Sequence, residues 1–321
     1  MKKTGLGINM LAVLAMHSAS GSAHTAATPI RASAKCGPGL GSCDKSCCSE
    51  YGYCGTSADY CGGSQCQLDY SHTCDTLIPP PGRDTSRLPR PHIGSVPYGP
   101  MMTSCTQPGL VALTFDDGPF TFTRDLLDLL DALDTKATFF VTGNNLAKGH
   151  MDDASTPWPS LLHRMHGAGH HIGSHTWTHR DLDAVNDTVR HAEVTHNEMA
   201  LRNVFGWIPA YLRPPFLACE SSGCQEYLGR AGYHVVSANL DSKDYMYDDP
   251  GLIQQSKDRI AGGLSGDAAR SSYIVLLHDV HAQTVYNLTR FVIGLVRERG
   301  YRLVTVGECL GDPSRNWYRT A

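Results

Sequence analysis

Residues 109–120, "GLVALTFDDGPF", decide how this chain folds. The apolar run at 110–113 is the kind of segment that lies inside a β-sheet, and it is soon followed by two adjacent aspartates, Asp116 and Asp117. Neighbouring carboxylates repel each other. The strand therefore either ends in a solvated Asp-Gly turn, the usual outcome for a lone Asp-Asp-Gly, or it brings both side chains to a cation.

Around this strand, short β-rich runs alternate with helical stretches over residues 105–309. The runs read "LVALTF", "ATFFVTG", "HVVSANL", "YIVLLHD" and "YRLVTV", and stretches such as "RDLLDLLDAL" and "VYNLTRFVIGLVRERG" separate them. Such alternation is typical of an α/β protein with a parallel sheet, either a barrel or a doubly wound sheet. In these folds the functional residues lie at the carboxyl ends of the strands, which is where Asp116 and Asp117 occur.

The composition excludes a polyanionic partner. The 321 residues carry a formal net charge of -4 and only 18% of them are charged, so no basic stripe of the kind that binds nucleic acid is present in the sequence. A hydrophobic fraction of 41% is ordinary for a globular protein. We expect a monomer with one large domain and an accessory module.

The N-terminus predicts export. Residues 1–23 combine Lys2 and Lys3 with the short apolar run "INMLAVLAM" and with small residues suited to signal-peptidase cleavage, which is the pattern of a secretory signal. No other apolar run reaches the length of a transmembrane helix. The sequons at Asn186 and Asn287 are compatible with a eukaryotic secretory route. We expect a secreted protein, extracellular or associated with a cell wall, with no membrane partner.

Cysteine and proline usage divides the N-terminal part of the chain into two segments. The twelve cysteines, an even number in an exported chain, predict disulfides rather than zinc thiolates. Eight of them lie within residues 36–74, a segment too small to be held together by apolar burial alone. The proline-rich residues 75–104 offer no core of their own, and their composition predicts a flexible or semi-rigid linker.

The cysteine spacing of residues 36–74, C-x6-C-x3-CC-x5-C-x6-C-x4-C-x7-C around "CCSEYGYCG", resembles the hevein-type chitin-binding module. Spacing alone leaves the connectivity open. The resemblance implies a sugar platform, because exposed aromatic faces stack on pyranose rings while hydroxyls bind the acetamide. The alternative is that the tyrosines only fill space. The implied disulfides are Cys36–Cys48, Cys43–Cys54, Cys47–Cys61 and Cys66–Cys74, and the implied platform residues are Ser49, Tyr51, Tyr53 and Tyr60.

The stretch "GHHIGSHTWTHRDL" at 169–182 supplies the further ligands that a cation beside the two aspartates needs. His175 and His179 are spaced i and i+4, which predicts a helical turn with both imidazoles on one side, as a zinc-like ion requires. The chain has sixteen histidines, however, and an isolated H-x3-H is more often structural. We expect structural roles for six others: His163, His166, His170, His171, His191 and His196.

Five motifs occur in order between residues 105 and 312: TFDDGP, the H-T-x-x-H within "SHTWTH", R-P-P-F, D-S-K-D-Y and L-L-H. This order resembles the polysaccharide deacetylases of carbohydrate esterase family 4. The resemblance implies an α/β fold, a distorted (β/α) barrel preceded by the small disulfide-rich module. Two further disulfides, Cys219–Cys224 as a local loop cross-link and Cys105–Cys309 between the ends of the domain, are expected.

The resemblance also implies a metal site and a general base. Asp117, His175 and His179 hold a divalent metal, with Zn2+ expected and Co2+ or Mn2+ as alternatives, and leave coordination positions open for water and substrate. Asp116 takes the proton of the attacking water, and Arg213 orients and neutralises it. The adjacent carboxylates coexist because one is balanced by the ion and the other by the guanidinium.

The other implied site residues bind and protonate the substrate. The backbone N–H of Phe216 stabilises the oxyanion, His278 at the end of "YIVLLH" protonates the leaving nitrogen, and Asp244 orients that histidine. Tyr245 and Leu276 form walls of the pocket for the acetyl methyl, although plain core packing explains them nearly as well. Many relatives have Tyr where this chain has Phe216 and Trp where it has Tyr245, so we expect a differently shaped pocket.

The predicted function is hydrolysis of the N-acetyl groups of N-acetylglucosamine units in chitin or chitin oligomers, which gives acetate and chitosan. One alternative is action on another acetylated glycan, such as peptidoglycan or O-acetyl xylan, although the module disfavours xylan. The other alternative is a non-catalytic, chitin-masking lectin, against which the complete set of catalytic side chains argues. For Trp158 and Trp177, sugar stacking and partial burial are equally good interpretations.

Overall fold

The computed structural model describes residues 34–321, so the predicted secretory signal at 1–23 lies outside the described residues. Over the described range, no helix is both long and apolar enough to cross a membrane. Besides a 3-10 helix at Leu68–Tyr70, the N-terminal module contains three short regular elements, and its disulfides hold it together. These elements are β1 (Cys47–Cys48), β2 (Cys54–Gly55) and α1 (Ala58–Cys61).

All six implied disulfides are present in the structure, which confirms the pairing that the resemblance gave. Four of them lie in the module, where buried half-cystines replace the apolar core that so short a segment lacks. Cys219–Cys224 closes a short loop, and Cys105–Cys309 ties the beginning of the large domain to a point near its end.

The rest of the chain forms the large α/β domain, in which strands and helices alternate as predicted. In chain order its elements are β3 (Met101–Met102), β4 (Leu110–Asp116), α2 (Thr123–Ala132), β5 (Thr138–Val141), α3 (Trp158–Gly167), β6 (His171–Ser174), α4 (Asp187–Phe205), β7 (Trp207–Pro209), β8 (Tyr211–Leu212), α5 (Ser222–Arg230), β9 (His234–Val236), β10 (Leu240–Asp241), α6 (Ile253–Gly263), β11 (Tyr273–His278), α7 (Thr289–Glu298), β12 (Arg302–Val304), α8 (Val306–Cys309) and β13 (Tyr318–Thr320).

Nine of these strands form one parallel sheet in the order β10-β11-β4-β5-β6-β8-β9-β3, with β12 joined to β4 as a branch. Strand β4 accommodates three neighbours because β12 pairs with its first half and β5 with its second half. Strands β7 and β13 form a separate antiparallel pair. The curled parallel sheet confirms the predicted distorted (β/α) barrel, and β10 and β3 are its edges.

The alternation of side chains along β4 determines where the first aspartate points. Val111, Leu113 and Phe115 belong to the core between the sheet and helices α2, α3 and α7. Leu110 and Ala112 belong to a second core on the other face. Because side chains alternate along a strand, Asp116 shares this second face, away from the helices. The sequence period that marks β4 as a strand therefore also directs Asp116 into the barrel interior.

Residues 75–104, whose composition predicts a flexible or semi-rigid linker, pack on the large domain. Thr85 is fully buried and its hydroxyl donates to Glu198 Oε2 on α4 at 2.6 Å. The guanidinium of Arg90 donates to both carboxylate oxygens of Glu198, at 2.6 and 2.7 Å. Strand β3 also lies within this segment and pairs with β9. Specific buried contacts therefore fix the segment to the domain.

Candidate active site

Three predicted metal ligands converge at the carboxyl ends of β4 and β6. The Oδ1 atom of Asp117 lies 3.7 Å from His175 Nε2 and 3.2 Å from His179 Nε2. One ligand atom of each residue lies within 4.8 Å of the others. Such a set of one carboxylate and two imidazoles is the kind of donor set that catalytic zinc sites use.

The protonation and hydrogen bonding of these groups fit a divalent metal. Asp117 Oδ1 is buried and has no hydrogen-bond partner among the described residues, which is costly for a carboxylate unless a cation binds it. His175 Nδ1 lies 2.7 Å from the carbonyl oxygen of Arg213, which can only accept, so Nδ1 carries the proton. The lone pair of His175 Nε2 is therefore free and faces Asp117.

The backbone around the histidines is irregular, and the predicted helical turn is wrong. Residues 175–181 form a loop after β6, in which Thr176 and His179 have left-handed φ angles of 68° and 62°. A left-handed residue reverses the local chain direction, so the loop brings both imidazoles together without a helix. The i, i+4 spacing was compatible with either geometry.

Asp116, the predicted base, is held by Arg213. The guanidinium Nη1 donates to Asp116 Oδ1 at 2.8 Å and to Thr114 Oγ1 at 2.6 Å, and Nη2 donates to the Ser237 carbonyl at 2.9 Å. Arg213 also lies over the Phe140 ring, 4.3 Å from its centroid. These contacts leave Asp116 Oδ2 directed toward the metal ligands, 3.7 Å from the Nε2 atom of His175.

Phe216 lies in a short turn, Pro215–Leu217, at the mouth of the site. Its φ angle of 58° is left-handed, and its ring packs edge-on against His179 with centroids 4.7 Å apart. The Phe216 N–H forms no hydrogen bond with the described residues. The side chain is 64% exposed, so the turn presents a free donor and an aromatic face together.

His278, the predicted acid, ends β11 in register with Asp116 on the neighbouring strand β4. Its Nδ1–H donates to Asp244 Oδ1 at 2.7 Å, and its backbone N–H donates to Asp244 Oδ2 at 2.7 Å. Thr284 also donates to Oδ2, at 2.7 Å. The carboxylate is therefore fixed by several donors, and it leaves the Nε2 atom of His278 available to the cavity.

The electrostatics of this pair keep His278 protonated. Burial alone would lower the pKa of His278, but the Asp244 carboxylate, followed by Asp117 and Asp116, raises this pKa to about 10. Burial opposes ionisation of Asp244 as well, yet the imidazolium of His278 lowers the pKa of Asp244 below its usual value. At neutral pH the pair is an imidazolium beside a carboxylate, which suits a proton donor.

The predicted side chains meet in one cavity of about 400 Å³. Tyr245 and Leu276 line it as expected, and Arg213 and Asp244 lie buried behind it. Two lining residues, Leu217 and Asp241, are absent from the predicted set, although Leu217 directly follows R-P-P-F and Asp241 is the first residue of D-S-K-D-Y. The complete lining is Asp116, Asp117, His175, His179, Phe216, Leu217, Asp241, Tyr245, Leu276 and His278.

Lys148 is a further residue that no sequence motif indicates. Its buried ammonium donates to the carbonyls of Asp117 and Gly118, both at 3.1 Å, and to Thr142 Oγ1 at 2.9 Å. Burial lowers the pKa of Lys148 to about 7, although Asp279 and Asp117 oppose this shift. These hydrogen bonds fix the turn after β4 and so help to orient Asp117.

The tryptophans and the other histidines lie outside this cavity. Trp177 is fully buried, so sugar stacking is wrong for it, while Trp158 is half-buried and packs against the helix-side core. None of the six histidines expected to be structural lines the cavity. His170, for example, is buried and its Nδ1 accepts from the backbone N–H of Ala137 at 3.1 Å.

The predicted sugar platform lies in the N-terminal module. Tyr51 is 79% exposed and Tyr53 41% exposed, as stacking requires. Tyr60 is half-buried against Gly55, and Ser49 is buried with its hydroxyl accepting from the Tyr53 N–H at 3.4 Å. The two exposed tyrosines are therefore the accessible part of the predicted platform.

The fold and the cavity, in which carboxylates and imidazoles meet at the carboxyl ends of parallel strands, are of the kind that hydrolases use. A family model described as polysaccharide deacetylase matches residues 103–236. The chain is 49% identical over 224 residues to a chitin deacetylase of Colletotrichum lindemuthianum, a match that covers 70% of this chain and 88% of that protein. It is 43% identical over 226 residues to a chitin deacetylase of Pestalotiopsis sp, covering 70% and 72% respectively.

A solved structure gives the same result at the level of the fold. The chitin deacetylase structure from Colletotrichum lindemuthianum matches with a TM-score of 0.68 and 47% identity, covering 70% of this chain and 98% of that chain. This protein belongs to the polysaccharide deacetylase family. It is accordingly a deacetylase enzyme with an additional N-terminal module.

Proposed function

We propose that this protein hydrolyses the N-acetyl groups of N-acetylglucosamine units in chitin or its oligomers, with one divalent metal ion at Asp117, His175 and His179. The observation that carries the proposal is the single cavity that this cluster lines together with the base Asp116 and the acid His278. The relatives named above as chitin deacetylases support chitin as the substrate. The products are acetate and glucosamine units.

The expected ion is Zn2+, with Co2+ or Mn2+ as alternatives, because imidazole and carboxylate donors suit these metals. When bound, such an ion polarises the acetamide carbonyl and lowers the pKa of a water molecule toward about 7. The chain supplies the ligands in a preformed arrangement: Lys148 fixes the turn of Asp117, and the Arg213 carbonyl fixes the tautomer of His175.

Asp116 acts as the general base. Its Oδ2 atom faces the metal ligands, while its Oδ1 atom is occupied by Arg213. The guanidinium supplies a permanent positive charge beside the buried carboxylate, and Oδ2 can accept the proton of the attacking water. Arg213 therefore acts through Asp116 and does not touch the substrate.

Phe216 and His278 both line the cavity and act on the tetrahedral intermediate. The free N–H of Phe216 donates to the developing oxyanion. His278 protonates the departing nitrogen through Nε2, and Asp244 holds the ring and its charge in place. The nitrogen of an amide leaves only once it is protonated. An amide substrate therefore requires this acid, whereas an ester substrate needs it less.

Leu276 and Tyr245 provide the walls that hold the acetyl group. Leu276 is 6% exposed and lies between the register partners Thr114 and Asp241 on neighbouring strands, so it forms the apolar floor of the cavity. The Tyr245 ring packs edge-on against His278 at 5.4 Å and forms one side. A small methyl group fits such an apolar surface, whereas a charged acyl group would be desolvated without a partner.

The N-terminal module is proposed to bind chitin, with Tyr51 and Tyr53 as its stacking surface and Ser49 and Tyr60 supporting them. Secretion follows from the predicted signal and agrees with the six disulfides, because disulfides persist in oxidising compartments. We expect a monomer that acts outside the cell or at a cell wall. Glycosylation at the exposed Asn186 and Asn287 is compatible with this route.

The test is acetate release from three substrates under identical conditions: chitin oligomers of graded length, peptidoglycan and O-acetyl xylan. We expect release from chitin oligomers, sensitivity to a chelator, and none from the Asp116→Asn control. Preferential release from peptidoglycan or xylan would contradict chitin as the substrate. Binding to chitin without any acetate release would instead favour the chitin-masking lectin.

A further inference from the structure

The loop that carries the metal-binding histidines contacts the end of the N-terminal module. The indole Nε1 of Trp177 donates to the carbonyl of Asp75 at 2.9 Å. The guanidinium Nη2 of Arg180 donates to the carbonyl of Cys66 at 2.7 Å. The Cys66–Cys74 disulfide joins the two ends of this part of the module. Cys66 of the module and Asp75, the first residue of the proline-rich segment, therefore contact the residues on both sides of Thr178 and His179.

A chain of hydrogen bonds crosses this contact. Arg180 Nε donates to Thr76 Oγ1 at 2.8 Å, and the Thr76 and Thr178 hydroxyls are 2.7 Å apart. The Thr178 hydroxyl donates in turn to Glu193 on α4. Each hydroxyl has one proton, so Thr178 must accept from Thr76 and Thr76 must accept from Arg180. The chain thus runs in one direction from Arg180 to the carboxylate of Glu193.

Thr76 is the member of this hydrogen-bond chain that lies in the proline-rich segment, whereas Thr178, Arg180 and Glu193 belong to the large domain. Thr76, Thr178 and Glu193 are all fully buried, and Arg180 is 9% exposed. Loss of the Thr76 hydroxyl would leave the buried Arg180 Nε–H without its acceptor and the buried Thr178 hydroxyl without its donor, and such networks are costly when only partly satisfied. The residues that lose these partners, Thr178 and Arg180, flank His179.

The backbone of His179 depends on this support. Its φ angle of 62° lies in the left-handed region, which a residue with a side chain occupies only when the surroundings hold it. Within residues 177–180, His179 is the ligand, and its three companions are each fixed by Cys66, Asp75 or Thr76. Cys66, at the end of the module, and the first residues of the proline-rich segment therefore constrain the loop.

We propose that residues 66–76 position the His179 loop for metal binding, with Thr76 as the positioning residue. The module is then a structural part of the metal site as well as a carbohydrate-binding unit. This inference rests on the metal site of the proposed function. Removal of this segment should therefore change the catalytic centre, whereas removal of a simple tether would leave it unchanged.

The experiment uses the zinc-loaded full chain and three threonine variants. Thr76→Val removes the hydroxyl at nearly constant volume, and Thr76→Ser restores it. Thr85→Val is the matched control, because Thr85 is equally buried in the same proline-rich segment and also donates to a glutamate of α4, at 2.6 Å to Glu198, but remote from the ligands. Each protein is titrated with a chelator of known zinc affinity, and its melting temperature is recorded.

We expect Thr76→Val to lose half of its zinc at a chelator concentration about tenfold lower than wild type, as for other groups that orient metal ligands. Thr76→Ser and Thr85→Val should retain zinc as wild type does, even if Thr85→Val melts earlier. The Co2+-substituted spectrum should change in Thr76→Val alone. Unchanged zinc retention and an unchanged Co2+ spectrum in Thr76→Val would overturn the inference.

Trp177→Phe covers the case in which Thr76→Val does not fold. It removes the N–H that donates to Asp75 together with part of the buried ring, and it should lower zinc retention in the same direction. Wild-type zinc retention in a Trp177→Phe protein would overturn the inference on its own. A wild-type chain that holds no zinc would overturn the metal site of the proposed function, and this inference with it.

Discussion

Arg213 and Asp116 form an ion pair that is closed to solvent, with Nη1 2.8 Å from Oδ1 and side-chain exposures of 0% and 2%. This pair explains how two adjacent aspartates can share the end of one strand. Asp116 is balanced by the guanidinium, and Asp117 faces two imidazoles and the expected ion. Removing one partner of a buried pair leaves the other uncompensated, so each variant of the pair affects stability as well as activity.

Asp116→Asn should abolish the base while retaining an oxygen for Arg213. We expect deacetylation of chitin oligomers to fall by on the order of 10² to 10⁴, because the amide cannot accept a proton at neutral pH. The unpaired guanidinium should also lower the free energy of unfolding by about 3 kcal/mol or more. Initial rates are measured at a temperature where circular dichroism shows both proteins folded, and a rate within tenfold of wild type would refute the assignment.

His278→Ala should separate amide from ester hydrolysis. The amide substrate needs a protonated leaving nitrogen, so its turnover should fall by on the order of 10² to 10⁴, whereas an activated aryl acetate expels an anion and should lose far less. His281→Ala is the matched control, because His281 also contacts an aspartate, Asp248, but does not line the cavity. An unchanged ratio of amide to ester turnover in His278→Ala would show that the acid is another group.

The pH profile should depend on Asp244. His278 must be protonated to act, and Asp244 raises its pKa to about 10, so wild-type activity should decline only as the pH rises through this alkaline pKa. Asp244→Asn removes the charge that raises the pKa, so the alkaline limb should move to lower pH. The measurement is kcat/KM against pH on a soluble oligomer, and an alkaline limb that does not move contradicts the pairing.

The exposed tyrosines should matter only for solid substrate. The double variant Tyr51→Ala and Tyr53→Ala removes the two accessible aromatic faces without touching the contacts of Thr76. We expect reduced deacetylation of insoluble chitin and unchanged activity on soluble oligomers, since binding raises local concentration and leaves the chemistry intact. Equal losses on both substrates would show that the tyrosines do more than bind. Deletion of residues 24–80 is not equivalent, because it also removes Thr76.

Local patterns in the sequence were sufficient for much of the fold and site. The apolar run of β4 and its Asp-Asp ending predict a buried strand with carboxylates at its carboxyl end, because side-chain alternation is a property of the strand itself. The order of the deacetylase motifs identified the cavity residues, since each motif follows or ends a strand of the same parallel sheet. The resemblance to a known cysteine framework gave the four disulfides of the module, and Cys219–Cys224 closes a short local loop, whereas Cys105–Cys309 joins residues 204 positions apart.

Features that depend on long-range contacts were missed or misjudged. The i, i+4 spacing of His175 and His179 fits a helical turn, but the left-handed residues of the loop give the same convergence by another route. The proline-rich composition of residues 75–104 is the same whether the segment is free or packed, and only the three-dimensional structure shows Thr85 against Glu198. Lys148 carries no motif because a buried amine is defined by its carbonyl partners, which are distant in sequence.

The most direct test of a metal-dependent deacetylase at Asp117, His175 and His179 measures bound zinc and acetate release in the same sample while a chelator is added. We predict that acetate release from chitin oligomers falls in proportion to the zinc removed, reaches background when the metal is gone, and returns on addition of one equivalent of Zn2+. Asp117→Ala should not recover under the same treatment. Acetate release that persists in the sample after its metal has been removed would contradict the account.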